Sequence, residues 1–297
     1  MDEVKTTVIG SYPIVSDNLE LMNDYFNQRN VGWEKYIKYA VDAQVDAGVD
    51  IISDGQTRDP FLNIFYRGIK GCRIRNRPEV IDKVEFKGPI TVNDYRYVKT
   101  LVPKDHEVIG LIAGPYTLAK SCNNMFYKDE KTLAFDFAEV INQEAKLLVD
   151  HVDMISVDEP FFSVSMPDYA SELIDVVLDG IDVPRRLHAC GNVSDIVANL
   201  IDLPVDILSH EFKASPQIFD AFNEYSFKQK ICMGSVRSDQ DRVEPVEEIV
   251  DHIKHGIEVF GSQIGFLSPD CGLRMRTPDV AFQKLKNLVD AKRIVYG

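Results

Sequence analysis

Short β-branched runs alternate with longer amphipathic segments along nearly the whole chain, and this alternation leaves few architectures open. The strand-like runs are Thr6 to Gly10, Val49 to Ser53, Val108 to Ala113, Met154 to Val157, Arg186 to Ala189, Asp206 to His210, Lys230 to Gly234 and Gly265 to Ser268. Between them, helical periodicity marks Trp33 to Ala47, Thr132 to Val149, Ser171 to Leu178, Val193 to Leu200, Pro216 to Asn223, Val246 to Phe260 and Pro278 to Ala291. A repeated strand–helix unit builds a parallel sheet with helices outside it. Eight such strands in 297 residues predict an α/β protein of the closed (β/α)8 TIM-barrel type, read as one domain over 1–297. The stretch 68–100 breaks the rhythm: it is rich in Arg, Lys, Val and Ile, with a polar turn at Asn76 to Pro78 and a Gly88-Pro89 step. It is expected to be a small inserted β-hairpin or subdomain between the second and third barrel strands.

Charge narrows the partners. A net charge of -14 argues against nucleic acid, because binding a phosphate backbone needs clustered Lys and Arg to displace counterions. The start, Met1 to Thr6, has no basic segment followed by an apolar run, and no apolar stretch approaches the roughly 20 residues that span a bilayer. A cytoplasmic protein without a membrane partner is expected. Five cysteines, an odd number in a chain this long, read as thiols rather than as a disulfide framework.

In such barrels chemistry gathers at the C-terminal ends of the strands. Those ends carry Gly10-Ser11, Asp54-Gly55-Gln56, Gly114-Pro115, Asp158-Glu159-Pro160, His188-Ala189-Cys190-Gly191, Glu211, Arg237-Ser238-Asp239 and Pro269-Asp270-Cys271-Gly272. Side chains two apart on a strand share a face, so His188 and Cys190 can reach one ion. Either alone would ordinarily be a core residue. With Glu211 and Cys271 at other strand ends they make a set of two thiolates, an imidazole and a carboxylate, which suits Zn²⁺ and not Mg²⁺ or Ca²⁺. Cys232 reads as a small core residue, whereas Cys72 and Cys122 have no such company. Asp158-Glu159 can either turn a carboxylate inward to meet a substrate amino group or cap a helix. Ile9-Gly10-Ser11 can cradle a carboxylate with backbone N–H groups and a hydroxyl, or simply turn the chain. Arg237, Asp239, Arg274 and Arg276 are either solvated or orient a polar partner.

These motifs, in this order, resemble the catalytic C-terminal domain of cobalamin-independent methionine synthases, and more closely the short archaeal and bacterial core members of that family. The likeness runs over essentially the whole chain. Its carriers are Thr6-Thr7-Val8-Ile9-Gly10-Ser11-Tyr12-Pro13, Gly114-Pro115, Val157-Asp158-Glu159-Pro160, His188-Ala189-Cys190, Ser209-His210-Glu211 and Ser268-Pro269-Asp270-Cys271-Gly272-Leu273. The resemblance implies zinc held by His188, Cys190, Glu211 and Cys271, the same four donors picked on chemical grounds. It implies homocysteine as substrate, its amino group on Asp158 and its carboxylate on Ile9, Gly10 and Ser11. Two positions depart from the long enzymes. Their Gly-Glu-Pro-Glu-Arg-Asn stretch reads Asp54-Gly55-Gln56-Thr57-Arg58-Asp59 here, which removes a glutamate contact to the amino group. Their histidine after the seventh strand is matched by Asp239, which makes Asp239 the candidate catalytic residue in an altered role.

The long enzymes carry an N-terminal half that helps bind folate, whereas this chain begins at the catalytic motif. The resemblance to the short members therefore implies a methylated corrinoid, methylcobalamin or a corrinoid protein, as methyl donor. Two other readings of the same residues are a corrinoid-dependent methyltransferase acting on another thiol such as coenzyme M, and a non-catalytic zinc-stabilised binding protein.

Overall fold

A computed structural model describes residues 3–14, 32–58 and 62–297. In chain order its strands are β1 (Lys5–Thr6), β2 (Ile51–Ile52), β3 (Ile69–Ile74), β4 (Pro78–Phe86), β5 (Glu107–Ala113), β6 (Asn123–Asn124), β7 (Met154–Asp158), β8 (Arg185–His188), β9 (Ile207–His210), β10 (Lys230–Val236) and β11 (Ile264–Pro269). Eight of them form one parallel sheet in the order β1-β11-β10-β9-β8-β7-β5-β2. A parallel bridge between Thr7 and Ile51 joins the two ends. The result is the expected barrel, and every expected strand run is present. The first two are shorter as regular strands than the sequence runs, because only Lys5–Thr6 and Ile51–Ile52 keep ladder geometry before the chain turns into the mouth.

Most strand residues alternate between two environments. Ile9, Ile51, Ile109, Leu111, Met154, Ile207 and Cys232 pack together in the lumen. Their sequence neighbours, such as Ile155, Val157, Leu187, Ala189, Leu208, Ile231 and Met233, join the large cluster between sheet and helices. Period two along a strand thus fills two cores from one run, which is why these runs are nearly continuously apolar.

Helices cover the outside. The one over Glu34–Ala47 buries Ile37, Ala40, Val41, Gln44 and Ala47 and stops at Gly48, whose φ of 83° lets its N–H reach the Gln44 and Val45 carbonyls. Gln44 also clasps Ser53, accepting from its N–H at 2.9 Å and donating to its carbonyl at 3.2 Å, which fixes the exit of β2. The helix Glu130–Leu148 starts on Asp129, whose carboxylate accepts from Thr132 N at 2.7 Å. Helices Asn63–Gly68, Val92–Leu101, Pro115–Ser121 and Phe162–Ser165 had no counterpart in the sequence reading; three of the four are seven residues or shorter, too brief to show a period.

The irregular stretch 68–100 holds the expected hairpin, β3 and β4 pairing antiparallel, with β6 added alongside β4. It ends sooner than expected. The last part of the stretch is the helix Val92–Leu101, which belongs to the barrel's outer layer and is pinned by the buried Glu144 carboxylate. That carboxylate accepts from Ile90 N at 2.8 Å and Thr91 N at 2.6 Å.

Candidate functional site

The lumen changes character toward the C-terminal ends of the strands. On β7 the inward positions are Met154, Ser156 and Asp158; on β8 they are Arg186 and His188, continued by Cys190; on β9 they are Ile207 and Ser209, continued by Glu211. Parallel register sets Asp158 beside His188 and His188 beside Ser209. Residues far apart in sequence therefore arrive at one level of the barrel.

Among the described residues, His188, Cys190 and Cys271 form a group whose ligand atoms all lie within 4.8 Å of one another. His188 Nε2 is 3.1 Å from Cys190 Sγ, and Cys190 Sγ is 3.1 Å from Cys271 Sγ. His188 Nδ1 is 3.2 Å from Ser209 Oγ, a contact that orients the ring and leaves Nε2 toward the sulfurs. Burial, with Arg186 adding to it, holds the His188 imidazole well below its usual range, so it is neutral, as a ligand must be. The Cys190 thiol is pushed well up, first by sharing a proton with Cys271 and then by burial.

These properties fit a soft divalent cation. Donors bound to one zinc at about 2.0–2.3 Å must lie within about 4.6 Å of each other, and both 3.1 Å separations satisfy that limit. A positive ion would also relieve two sulfurs crowded around one proton. The fourth expected donor, Glu211, stands outside the three-membered group. Its carboxyl is raised by burial, opposed by the Gly191 N–H, and it feels Asp239 and Arg237. Its charge acts on Cys190 in turn.

Ile9, Gly10, Ser11 and Asp158 line one cavity of about 170 Å³ together with His188, Cys190, Cys271, Gln56, Pro160 and Gly272. Gly10 has φ 52°, the left-handed backbone a glycine adopts freely, and the Ser11 carbonyl accepts from Leu273 N at 2.7 Å. The turn is thereby fastened to the Cys271 loop. Asp158 Oδ1 accepts from Ser156 Oγ at 2.8 Å. Burial pushes its carboxyl up to about 6, while the Arg186 charge and the Ser156 hydroxyl pull it down.

Asp158 and Glu159, adjacent in sequence, point their carboxylates to different places. Asp158 faces the cavity. Glu159 turns away and caps the helix Pro115–Ser121, accepting from Tyr116 N at 2.9 Å, Thr117 N at 2.8 Å and Thr117 Oγ1 at 2.6 Å. The Gly114-Pro115 motif has its cause here: a Cβ at Gly114 would lie 2.0 Å from Glu159 Cδ.

Asp239 is placed differently. Its side chain is 57% exposed, does not line the cavity, and is clasped by Arg237 through bonds of 2.8 and 2.6 Å that hold its carboxyl below the usual range. The rim loop itself is anchored from below: Glu244 accepts from Arg237 N at 2.9 Å and from the fully buried Lys284 at 2.8 Å. Arg274, read as a charge near the rim, donates to the Gln56 and Thr57 carbonyls at 2.5 and 3.1 Å.

Three residues have places at the site that their sequence motifs did not specify. Gln56 lines the cavity with a backbone φ of 44°, rare for a residue with a side chain. Arg186 is wholly buried in the lumen beneath the site. Asp270, beside Cys271, is buried and accepts from Lys213 N at 3.0 Å, tying the Glu211 loop to the Cys271 loop. The signal for Arg186 was its inward register, two residues before His188. The last residue of the 54–59 stretch lies outside the described residues.

The chain matches, over residues 4–293, the family model described as "Cobalamin-independent synthase, Catalytic domain". It is 36% identical to a protein from Methanocaldococcus jannaschii named "Methionine synthase", covering 98% of this chain and 99% of that one. A protein of the same name from Methanothermobacter thermautotrophicus is 33% identical, with 96% and 98% covered. Among solved structures, a B12-independent methionine synthase from a Shewanella species, in complex with selenomethionine, superposes with a TM-score of 0.84 at 22% identity, covering 98% of this chain and 97% of that one.

Proposed function

The chain belongs to the cobalamin-independent methionine synthase family, whose members are methyltransferases, and from that premise we infer that it transfers a methyl group to the thiol of homocysteine, giving methionine. One observation carries the reading: two sulfurs and an imidazole within reach of a single ion share a cavity with a carboxylate and a glycine turn suited to an amino acid.

In this reading His188, Cys190 and Cys271 hold zinc, and Glu211 is the fourth donor. Glu211 is the hardest donor of the set and so the most readily exchanged. A bound zinc supplies the positive charge that ionises a thiol whose free pKa is about 8.5. The chain's own residues supply position. Asp158 takes the ammonium of homocysteine on the oxygen that Ser156 leaves free, and Ile9, Gly10 and Ser11 take its carboxylate. Both ends of the amino acid are thereby fixed, which orients the sulfur toward the cysteine pair. Asp239 acts from the rim: its charge, clasped by Arg237, bears on Glu211.

The methyl donor in this reading is a methylated corrinoid, methylcobalamin or a corrinoid protein. The cavity bounded by the described residues, about 170 Å³, is below the roughly 300 Å³ at which sites for drug-sized ligands begin. A large donor has to present its methyl group from outside. No helix among the described residues is long and apolar enough to cross a membrane. All five cysteines are free thiols, which favours the cytoplasm as the place of action.

The test is to give zinc-loaded protein homocysteine with methylcobalamin or, separately, methyltetrahydrofolate, and to quantify methionine. Methionine from methylcobalamin is the expected result. Methionine from folate alone rejects the donor, and none from either rejects the function.

A further inference from the structure

Arg186 is a costly residue to bury in the lumen. It is fully buried one layer beneath the site, where an aliphatic side chain would fill the same space without desolvating a charge. Its guanidinium has a defined set of partners. Nε donates to Ser156 Oγ at 3.0 Å, Nη2 donates to the Val8 carbonyl at 3.1 Å, and Nη1 lies 3.9 Å from Cys232 Sγ.

The direction of these bonds matters. A guanidinium only donates, so the Ser156 oxygen accepts from Arg186, and the one hydroxyl proton of Ser156 is committed to Asp158 Oδ1 at 2.8 Å. This relay aims Asp158 and keeps that oxygen occupied. Among the described residues no hydrogen bond occupies Oδ2, on a residue that lines the cavity. The other arm of Arg186 holds the Val8 carbonyl, at the root of the Ile9-Gly10-Ser11 turn. One buried cation thus braces both walls of the amino-acid end of the cavity, and its charge balances Asp158 while no ammonium is bound.

We propose that Arg186, acting through Ser156 and Val8, is the positioning residue that makes the site select an α-amino acid thiol over a thiol without the amino group. This rests on homocysteine being the substrate. A purely structural role for the Arg186–Ser156 pair would instead treat all thiols alike.

The experiment measures calorimetric binding of homocysteine and of 4-mercaptobutanoate, which keeps the thiol and carboxylate but lacks the amino group, to the zinc-loaded full chain. Ser156→Ala is expected to weaken homocysteine about 10- to 100-fold, the range for a lost hydrogen bond to a charged group. It should leave 4-mercaptobutanoate within about 2-fold and zinc content unchanged, with a lower melting temperature because the buried Arg186 Nε loses its acceptor, and Ser156→Thr should restore homocysteine binding. Equal weakening of both thiols, or no weakening of either, overturns the proposal while leaving the proposed function standing. Should Ser156→Ala fail to fold, Arg186→Lys is measured on the same pair. It keeps the charge but loses the planar fork, and is expected to weaken homocysteine more than the analogue, an equal effect again overturning the proposal. If the unaltered protein binds no homocysteine, the proposed function itself falls.

Discussion

The lower lumen and the mouth of this barrel are built from the same strands and do opposite things. Met154 and Ile207 pack in an apolar layer with Ile51 and Ile109. Two positions further stand Ser156 and Ser209, and two further still Asp158 and Glu211. Each two-residue step climbs about 6.6 Å and exchanges apolar packing for hydrogen bonding and then for carboxylates. Apolar packing and polar chemistry are thereby separated along the barrel axis, so substitutions in the two layers should fail in different ways.

The largest effect is expected at the mouth. Cys271→Ser should cut methionine formation by more than about 100-fold, beyond the range of residues that merely support a metal site, and should strip zinc. Circular dichroism and melting temperature of the zinc-free proteins should stay level, because Cys271 sits at the edge of the lumen cluster and not within it. A parallel collapse of the fold would erase the distinction between layers.

In the lower layer Ile109→Ala should do the reverse. A buried aliphatic truncation costs about 2–5 kcal/mol, read as a lower denaturation midpoint, with zinc content unchanged. Zinc loss in the folded variant would show that the layers are mechanically coupled.

The outer helical layer offers a third contrast. His252 packs edge-on to Phe219 and lies 3.0 Å from the Gly234 carbonyl, and burial lowers its pKa from 6.5 to about 4. Between those values the unfolded chain binds more protons than the native one. The contribution of the neutral ring is therefore fully present above pH 6.5 and is lost as pH falls toward 4, by up to about 3 kcal/mol. Melting temperature measured from pH 6.5 to 4 should fall more gently in His252→Gln; an unchanged slope would remove His252 from the account.

Much of this was legible in the sequence, for a physical reason. Barrel strands buried on both faces carry long apolar runs, so Glu107–Ala113 and Lys230–Val236 announce themselves, and His188 and Cys190 betray a shared face by their spacing. Arg186 did not, because an arginine in a strand is ordinarily solvated, and the acceptor that makes its burial tolerable is the Val8 carbonyl, 178 residues away. The division of labour between Asp158 and Glu159 was equally invisible, since it depends on which neighbouring helix start lies within reach. Asp239 is the opposite case: a motif position drew attention to it, and only the fold shows that it stands on the rim in a pair with Arg237.

The smallest effect is expected there. An exposed pair of this kind is worth at most about 1 kcal/mol, so Asp239→Ala should change methionine formation by less than about 5-fold and leave zinc in place. A loss as deep as that of Cys271→Ser would move Asp239 from the rim into the chemistry.

The most direct test of the central claim is to count alkylated cysteines by mass spectrometry on the folded protein, with zinc content measured before and after chelation. One zinc per chain is expected, with Cys190 and Cys271 protected until the chelator removes it and both modified afterwards. Absence of zinc, or labelling of Cys190 and Cys271 that chelation does not alter, would contradict it.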